Sequence, residues 1–316
     1  MQNPTKISLV IPCFNEAGNL QPLIEELKAN QIPQFSLWEY IFVDDGSSDD
    51  TVSILRSSSR ELSGTVRIIE FSRNFGKESA ILAGLEHSTG DVTVVMDADL
   101  QDPPSLLGSM IQAITEEGFD MAATHRVDRS DEPAVRSLFS HFFYRVWNWL
   151  TPTRLRPGAR DFRAMSRAVV NCVVALRESN RFSKGIFEWV GFRTKYIPYE
   201  NRARRAGESG WSLRGLMAYA LDGLFSFSIL PLRFASVCGV TISFFAFIWM
   251  AWVILKTLLF GDPVAGYPSL VTILLFVSGI QLLCLGLIGE YLGRTYQETK
   301  ARPHYLVRQV HEVSEN

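Results

Sequence analysis

The sequence predicts an α/β protein with a doubly wound, mostly parallel sheet, followed by two long apolar helices. In the first third of the chain, short apolar runs suited to buried strands alternate with segments of helical periodicity. Four of these runs are followed directly by polar or acidic residues. The carboxyl ends of parallel strands meet at one edge of a sheet, where open α/β sheets bind ligands. We therefore expect a ligand site at that edge.

The first two predicted strands end in loops rich in polar residues. The strand Ile7–Ile11 leads into Pro12–Glu16, and the apolar spacing of Leu20–Ala29 predicts a helix. The strand Tyr40–Val43 leads into Asp44–Thr51. Serine and aspartate in this second loop are good helix caps, so a helix is expected to begin near its end.

The third and fourth predicted strands also deliver polar groups. Val66–Phe71 is followed by Ser72–Glu78 and a helix through Leu85, and the apolar run through Met96 stops at the acidic segment Asp97–Asp102. Pro103 and Pro104 end this segment and cannot continue a sheet. Its aspartates and glutamine offer hard oxygen ligands for Mg²⁺ or Mn²⁺, which can hold a diphosphate. The alternative is an acidic turn that binds nothing.

Composition narrows the classes of function. A formal net charge of −2 over 316 residues gives no basis for binding a polyanion, so no nucleic-acid partner is expected. The four widely spaced cysteines are expected to be reduced packing residues. The N-terminal residues do not resemble a secretory signal, so the first domain is expected in the cytosol.

Two long uncharged stretches predict transmembrane helices at about 233–256 and 268–290. The alternative is a pair of buried helices in a soluble core. Basic residues flank both stretches, so the positive-inside rule places both termini in the cytosol, with the protein in the inner or plasma membrane. Small residues in the second stretch, including Gly279 and Gly286, offer a surface for homo-oligomers.

The predicted organisation has three parts. Residues 1–228 form a cytoplasmic catalytic domain, 229–295 hold the two membrane helices, and 296–316 form a cytoplasmic tail. The domain includes amphipathic interfacial helices at about 133–150 and 212–228. Within the first of these, Arg136 and Ser140 lie one turn apart, a spacing suited to gripping a lipid phosphate. The bland alternative is a core helix with exposed arginines.

Motifs of other nucleotide-binding folds are missing from the expected places. No Gly-x-Gly-x-x-Gly follows the first strand, and no P-loop pattern is present. Instead, four ordered motifs resemble family 2 glycosyltransferases of the GT-A fold. They are Ile11–Glu16, Val43–Asp49, Arg73–Lys77 and Asp97–Pro104. With the two terminal apolar helices, the chain resembles the polyprenyl-phosphate branch, which contains dolichol-phosphate mannosyltransferases and bactoprenol glucosyltransferases.

The resemblance implies a role for each strand end. The donor-binding set comprises Pro12, Phe14 and Glu16 around the base and ribose, Asp44 or Asp45 at the uracil or ribose, Lys77 at the diphosphate, and Asp97 and Ala98. The implied metal ligands are Asp97, Asp99 and Gln101, with Asp99 also counted as catalytic. The metal, Mg²⁺ or Mn²⁺, would neutralise charge on the departing nucleoside diphosphate.

On the acceptor side, the resemblance implies that Arg126, Arg136 and Ser140 hold the lipid phosphate. Asp161 is implied as the second catalytic residue, acting as a base or positioning the sugar. It is preceded here by Arg160, where many relatives of this type have glycine. Arg205 belongs to a basic cluster that contacts either the diphosphate or anionic lipid headgroups; the sequence leaves both alternatives open.

The implied activity is transfer of a hexose, expected to be glucose from UDP-glucose, to undecaprenyl or another polyprenyl phosphate, with inversion at C1. The same motifs also suit a GDP-mannose-dependent enzyme or a transferase for a modified sugar. A processive polysaccharide synthase is disfavoured because Gln-x-x-Arg-Trp is absent. From a different class, a non-catalytic membrane scaffold or translocation component would not need the acidic segment.

Overall fold

The computed structural model describes residues 5–32, 37–126, 145, 147–148, 151, 153–154, 156, 158–199, 228, 230–260 and 266–313. The strands are β1 (Lys6–Cys13), β2 (Leu37–Asp44), β3 (Thr65–Phe71), β4 (Val92–Val95), β5 (Met121–Arg126), β6 (Ala159–Ser166), β7 (Thr194–Tyr199) and β8 (Val307–Val313). The helices are α1 (Ala17–Ala29), α2 (Thr51–Ser58), α3 (Lys77–His87), α4 (Leu107–Thr115), α5 (Arg167–Ala175), α6 (Ser183–Trp189), α7 (Leu230–Phe260) and α8 (Tyr267–Thr299).

The strands form one mixed sheet in the order β7-β5-β6-β4-β1-β2-β3-β8. The first four strands lie side by side and are parallel, which confirms the predicted α/β sheet and brings their carboxyl ends together. Their apolar residues are buried on both faces, as expected of a sheet covered by helices, and Ile7, Phe42 and Val94 are fully buried.

The pairings of β5, β6 and β7 extend the edge of the sheet at which the first four strands end. Strand β6 runs antiparallel to both β4 and β5, and β5 is parallel to β7. The start of β6 therefore lies at the same edge as the ends of β4, β5 and β7. Arg126 ends β5 in register with Tyr199, the last residue of β7. Asp161 is the third residue of β6 and belongs to this edge.

The C-terminal part of the chain differs from the expected tail. Strand β8 pairs antiparallel with β3, from Val66 opposite Val313 to Phe71 opposite Val307. The chain divides into one compact unit of Met1–Gly223 with Arg302–Asn316, and a second of Leu224–Ala301. The segment expected as a tail thus supplies an edge strand of the eight-stranded sheet.

The second unit contains the two long helices, each longer than the sequence predicts. Within the described residues, α7 and α8 are long and apolar enough to cross a membrane, over Leu232–Trp249 and Phe276–Thr299. Their large apolar side chains are exposed in the single chain. Helix α8 continues well past position 290, where Glu290 pairs with Arg294 at 2.8 Å one turn later.

Candidate functional site

The loops after β1 and β2 are locked to each other. The backbone N–H of Asn15 donates to Ser47 Oγ at 2.9 Å, and Asn15 Oδ1 accepts from the backbone N–H of Ser48 at 2.9 Å. Asn15 adopts a positive φ of 55°, a conformation that asparagine tolerates better than most residues. The backbone N–H of Glu16 donates to Thr51 Oγ1 at 2.9 Å. The two loops therefore form one rigid rim of the site.

The predicted nucleotide residues of the first strand end lie on this rim. Phe14 is 44% exposed and presents an apolar ring to solvent at the end of β1. Pro12 is half-buried next to it. The Glu16 carboxylate accepts from Asn19 Nδ2 at 2.6 Å, so it is oriented by the first turn of α1. An exposed aromatic ring beside an oriented carboxylate suits the stacking and hydrogen bonding of a nucleoside.

The two aspartates at the end of β2 accept hydrogen bonds from the backbone of nearby loops. Asp45 Oδ1 accepts from the N–H of Phe75 at 2.6 Å, and Asp45 Oδ2 from the N–H of Gly76 at 2.9 Å. Asp44 accepts from the N–H of Ser47 at 3.2 Å. Burial raises the pKa of Asp45, and the two amide N–H groups counter that effect. Both carboxylates are buried, and Asp45 joins the β2 loop to the loop before α3.

Gly46 permits the close approach of these two loops. Its φ is +70°, and a Cβ at this position would lie 2.5 Å from the carbonyl carbon of Arg73. Any side chain here would push the Ser72–Gly76 loop away from β2. Helix α3 starts directly after that loop, so the close approach determines where Lys77 begins the helix.

Lys77 bridges two carboxylates at the centre of the sheet edge. Its Nζ lies 2.7 Å from Asp97 Oδ1 and 2.8 Å from Asp97 Oδ2, and 2.9 Å from Asp161 Oδ2. Burial by itself would lower the pKa of Lys77, but Asp161 and Asp97 outweigh it and raise that pKa. The structure thus brings together three residues that the sequence assigned separately to the diphosphate, the metal and catalysis.

Asp161 lies among cations. Burial alone would raise its pKa, but Lys77, followed by Lys184 and Arg163, holds the pKa of this carboxyl well below its usual range. The group is therefore ionised throughout the physiological range. A carboxylate this acidic is a weak proton acceptor, since base strength follows the pKa.

The turn after β4 carries the remaining predicted metal ligands. Asp99 is 6% exposed, and its Oδ1 accepts from the backbone N–H of Gln101 at 3.1 Å. Leu100 between them has a φ of +59°, a strained conformation for a leucine. Ala98 is buried. The strained turn holds Asp99 and Gln101 beside the end of the strand.

The donor set fits a hard divalent cation. Within the described residues no cluster of three or more His, Cys, Asp or Glu is arranged around a metal position. Asp97 and Asp99 offer two carboxylates, and the Lys77 ammonium already marks a cation position next to Asp97. Mg²⁺ and Mn²⁺ sites in phosphate-transferring enzymes commonly use one or two carboxylates and complete their shell with substrate phosphate and water.

Next to this turn lies a cluster of three residues to which the sequence assigned no role. The Tyr199 hydroxyl donates to Asp102 Oδ1, and Arg160 lies close enough to both to influence their charge. Burial outweighs the opposing effects of Arg160 and the Tyr199 hydroxyl, so the pKa of Asp102 is raised to about 6. Arg160, which stands where many relatives have glycine, thus lies near an acidic group, Asp102. The exchange of glycine for arginine was the only sequence signal of this cluster.

Lys184 is a further cation that the sequence did not suggest. It is half-buried in the first turn of α6 and lies close enough to Asp161 to depress its pKa. Among the described residues it makes no hydrogen bond or ion pair. The preceding Ser183 donates from its backbone N–H to Glu78 Oε2 at 2.9 Å, and its hydroxyl donates to the same atom. Since Glu78 follows Lys77 in α3, this contact brings the two lysines to the same place.

The predicted acceptor residues are less fully described. Arg126 ends β5 at the binding edge. Arg136, Ser140 and Arg205 lie outside the described residues, as do most of the segment 133–150 and all but the last position of 212–228. The assignment of these residues to the lipid phosphate and the diphosphate stays a prediction.

Comparison with known proteins places this chain in a family. The model of glycosyl transferase family 2 matches residues 8–180, and that of the GtrB C-terminal hairpin matches residues 230–295. The Prophage bactoprenol glucosyl transferase homolog of Escherichia coli K12 is 41% identical over 96% of this chain and 99% of its own length. The Putative glycosyltransferase CsbB of Bacillus subtilis strain 168 is 44% identical over 96% and 91%.

The similarity to solved structures is lower. Glucosyl-3-phosphoglycerate synthase from Mycobacterium tuberculosis, in complex with Mn²⁺ and UDP-glucose, aligns with a TM-score of 0.45 and 20% identity over 70% of this chain and 77% of that one. The family resemblance inferred from the motifs is confirmed by the family models and by the relatives that match nearly the whole chain. This chain belongs to glycosyl transferase family 2.

Proposed function

We propose that this protein transfers glucose from UDP-glucose to a polyprenyl phosphate at the cytosolic face of a membrane. The observation that carries the proposal is the convergence of Asp97, Lys77 and Asp161 beside Asp99, at the edge where the polar strand ends meet. The membrane hairpin and relatives named bactoprenol glucosyl transferase, at about 40% identity over most of the chain, support glucose and a lipid acceptor.

The donor is held by the rim and the β4 turn. The exposed Phe14 ring and the oriented Glu16 carboxylate suit the nucleoside. Asp97, Asp99 and Gln101 would hold Mg²⁺ or Mn²⁺. When bound, such an ion neutralises charge on the diphosphate and improves the leaving group. Lys77, which lies beside Asp97, would add a second positive charge, so both the ion and the lysine would face the diphosphate.

The reaction needs alignment more than proton transfer. A phosphate monoester is largely ionised near pH 7, so an acceptor oxygen attacks C1 of glucose directly while the bond from C1 to the diphosphate oxygen breaks and UDP leaves. This single displacement inverts the configuration at C1. The chief obstacle is repulsion between two phosphates, which Lys77 and Lys184 reduce.

Asp161 is assigned a positioning role. Its carboxylate accepts a hydrogen bond from Lys77 and has a depressed pKa, so it orients the lysine and accepts hydrogen bonds from sugar hydroxyls. This assignment chooses between the two roles that the sequence left open. A general base would need a pKa nearer to the working pH.

The connectivity of the chain supports a hairpin of α7 and α8 that enters and leaves the membrane on the same side. The chain leaves the catalytic unit after Gly223 and rejoins it at Arg302. A strand of the catalytic sheet cannot form across a bilayer, so the number of crossings between these points must be even. Together with the flanking basic residues, this favours two crossings with both termini in the cytosol.

The test is transfer by the purified, detergent-solubilised protein. It is incubated with undecaprenyl phosphate and labelled UDP-glucose, UDP-galactose or GDP-mannose, with Mn²⁺ or with EDTA, and the lipid product is identified by mass. We expect lipid-linked hexose from UDP-glucose that is lost with EDTA. Labelled lipid from GDP-mannose alone would overturn the choice of donor. The absence of lipid product from every donor would overturn the transferase proposal.

A further inference from the structure

The segment that follows the second long helix is built into the donor side of the catalytic unit. Besides the pairing of β8 with β3, the backbone N–H of Ser72 donates to the carbonyl of Leu306 at 2.9 Å. Glu70, near the end of β3, accepts from Arg56 at 2.7 Å and lies 2.9 Å from His311 Nε2. The C-terminal segment therefore holds the strand that leads into the Ser72–Gly76 loop.

Tyr305 contacts residues on both sides of the Ser72–Gly76 loop, one in β3 and one in α3. Its ring stacks on Phe71, the last residue of β3, with centroids 4.9 Å apart and planes inclined by 15°. Its hydroxyl donates to a carboxylate oxygen of Glu86 in the last turns of α3. Phe71 lies just before the loop and Glu86 lies nine residues after Lys77, so one side chain spans the segment that presents this lysine.

The contacts continue from Tyr305 to the loop itself. Phe71 packs edge-on against Phe75 with centroids 5.8 Å apart, and the guanidinium of Arg73 lies over the Phe75 ring at 4.2 Å. The backbone N–H of Phe75 donates to Asp45 at 2.6 Å. Two residues after Phe75, Lys77 begins α3. A change in the tilt of the Phe71 ring would therefore reach Lys77 through a short, packed path.

We propose that Tyr305 is a positioning residue that fixes the Lys77 ammonium for an anionic diphosphate. The inference rests on the proposed function, because it takes Lys77 as a diphosphate ligand. It adds that the donor site is complete only when the segment Arg302–Val313 is docked on β3. Loss of the ring stack lets the Ser72–Gly76 loop and the start of α3 relax, and the lysine then binds the ligand less well.

The experiment measures the affinity for UDP with Mn²⁺ by calorimetry on the full-length protein. Tyr305→Leu removes the stack and the hydrogen bond, and we expect UDP to bind about tenfold more weakly, the scale of one well-placed charged contact. Tyr305→Phe keeps the stack and should lose about twofold to threefold. Arg308→Ala, at an exposed position of β8, is the matched control and should bind UDP as the wild type does.

A double-mutant cycle shows whether Tyr305 acts through Lys77. In a Lys77→Met background we expect Tyr305→Leu to cause no further loss of UDP affinity, because the group it positions is gone. The same tenfold loss in both backgrounds would overturn the proposal, as would wild-type affinity in Tyr305→Leu alone. Should Tyr305→Leu fail to fold, Glu86→Gln, which weakens the same grip from α3, takes its place in the cycle.

The results that would contradict the role of Tyr305 differ from those that would contradict the proposed transferase activity. Wild-type protein that binds UDP but makes no lipid-linked sugar would contradict the proposed function and leave the coupling between Tyr305 and Lys77 measurable. Wild-type protein that transfers glucose, with Tyr305→Leu equal to it in UDP affinity, would leave the transferase standing and overturn the role of Tyr305.

Discussion

The turns after β2 and β4 look alike in sequence and do different work in the fold. Each places two aspartates at the end of a buried strand. After β2, Asp45 accepts from two backbone N–H groups of a neighbouring loop. After β4, Asp97 is held by the side chain of Lys77. A carboxylate bound to backbone amides cannot change partners without disturbing the loop, whereas one held by a lysine side chain can exchange it for a ligand.

The largest effect should come from the β4 turn. We expect Asp99→Ala to reduce transfer by roughly a thousandfold, because Asp99 is a proposed ligand of the ion that would stabilise the leaving group by several kcal/mol. Its thermal unfolding midpoint should fall only slightly, because the backbone N–H from which Asp99 accepts belongs to Gln101 in the same turn rather than to another loop. The measurement is lipid product formed per minute, alongside a melting curve. Normal turnover in this variant would contradict the metal assignment.

The β2 turn should show the opposite profile. Asp45→Asn replaces one acceptor oxygen with a donor facing the N–H of Phe75 or Gly76, which should lower the free energy of unfolding by about 1–3 kcal/mol. Thermal unfolding in detergent measures this. If the variant melted like the wild type and yet lost UDP affinity, Asp45 would belong with the ligand-binding carboxylates and the contrast between the turns would fail.

A smaller effect tests the cations around Asp161. Lys184→Met should reduce kcat/KM about tenfold, equivalent to about 1.4 kcal/mol, by removing one charge that opposes phosphate repulsion. Lys195→Met is the control, because Lys195 forms an exposed pair with Glu117. The separate KM values for donor and acceptor would show which phosphate Lys184 meets. Equal kcat/KM in both variants would remove Lys184 from the site.

The smallest effect concerns a third carboxylate that serves the fold alone. Glu39 is buried, and burial would raise its pKa, but hydrogen bonds from Ser8 and Thr89 lower it overall. A carboxyl whose pKa is lower in the folded state adds stability above its unfolded pKa and loses it as the pH falls through the folded value. We expect Glu39→Gln to lower the free energy of unfolding at pH 7 by about 1 kcal/mol, as measured by thermal unfolding. The difference from the wild type should shrink below about pH 4. A difference that grew on acidification would contradict this sign.

Local patterns predicted the first half of the sheet well. The predicted strand Val66–Phe71 agrees with β3 to within a residue, and the helix predicted near Thr51 begins there. Both depend on apolar spacing and caps, which are properties of neighbouring residues. The order of the strands could not be predicted this way. Strand β6 lies beside β4 because residues about 70 positions apart in the sequence pair with each other.

The candidate site was predicted as a set of residues without their partners. The motifs named Lys77, Asp97 and Asp161, but nothing in the sequence showed that one ammonium joins the two carboxylates. Asp45 was assigned to the nucleotide, and its hydrogen bonds to the backbone of another loop were not predicted, because the partner amides lie about 30 residues further along the chain. Strand β8 was missed because its residues are mostly exposed, and an exposed edge strand lacks the apolar signal of a buried one.

Strand β8 also sets an order of events during synthesis. Its residues are translated after both long helices, and β3 has its outer partner only when they emerge. Until then the edge of β3 is open, and exposed edges invite pairing with other chains. The sheet is therefore finished only after the hairpin has been made, so a polypeptide that stalls before position 302 carries an incomplete enzyme. The outer edge of β3 is thus covered only by the last part of the chain to be made.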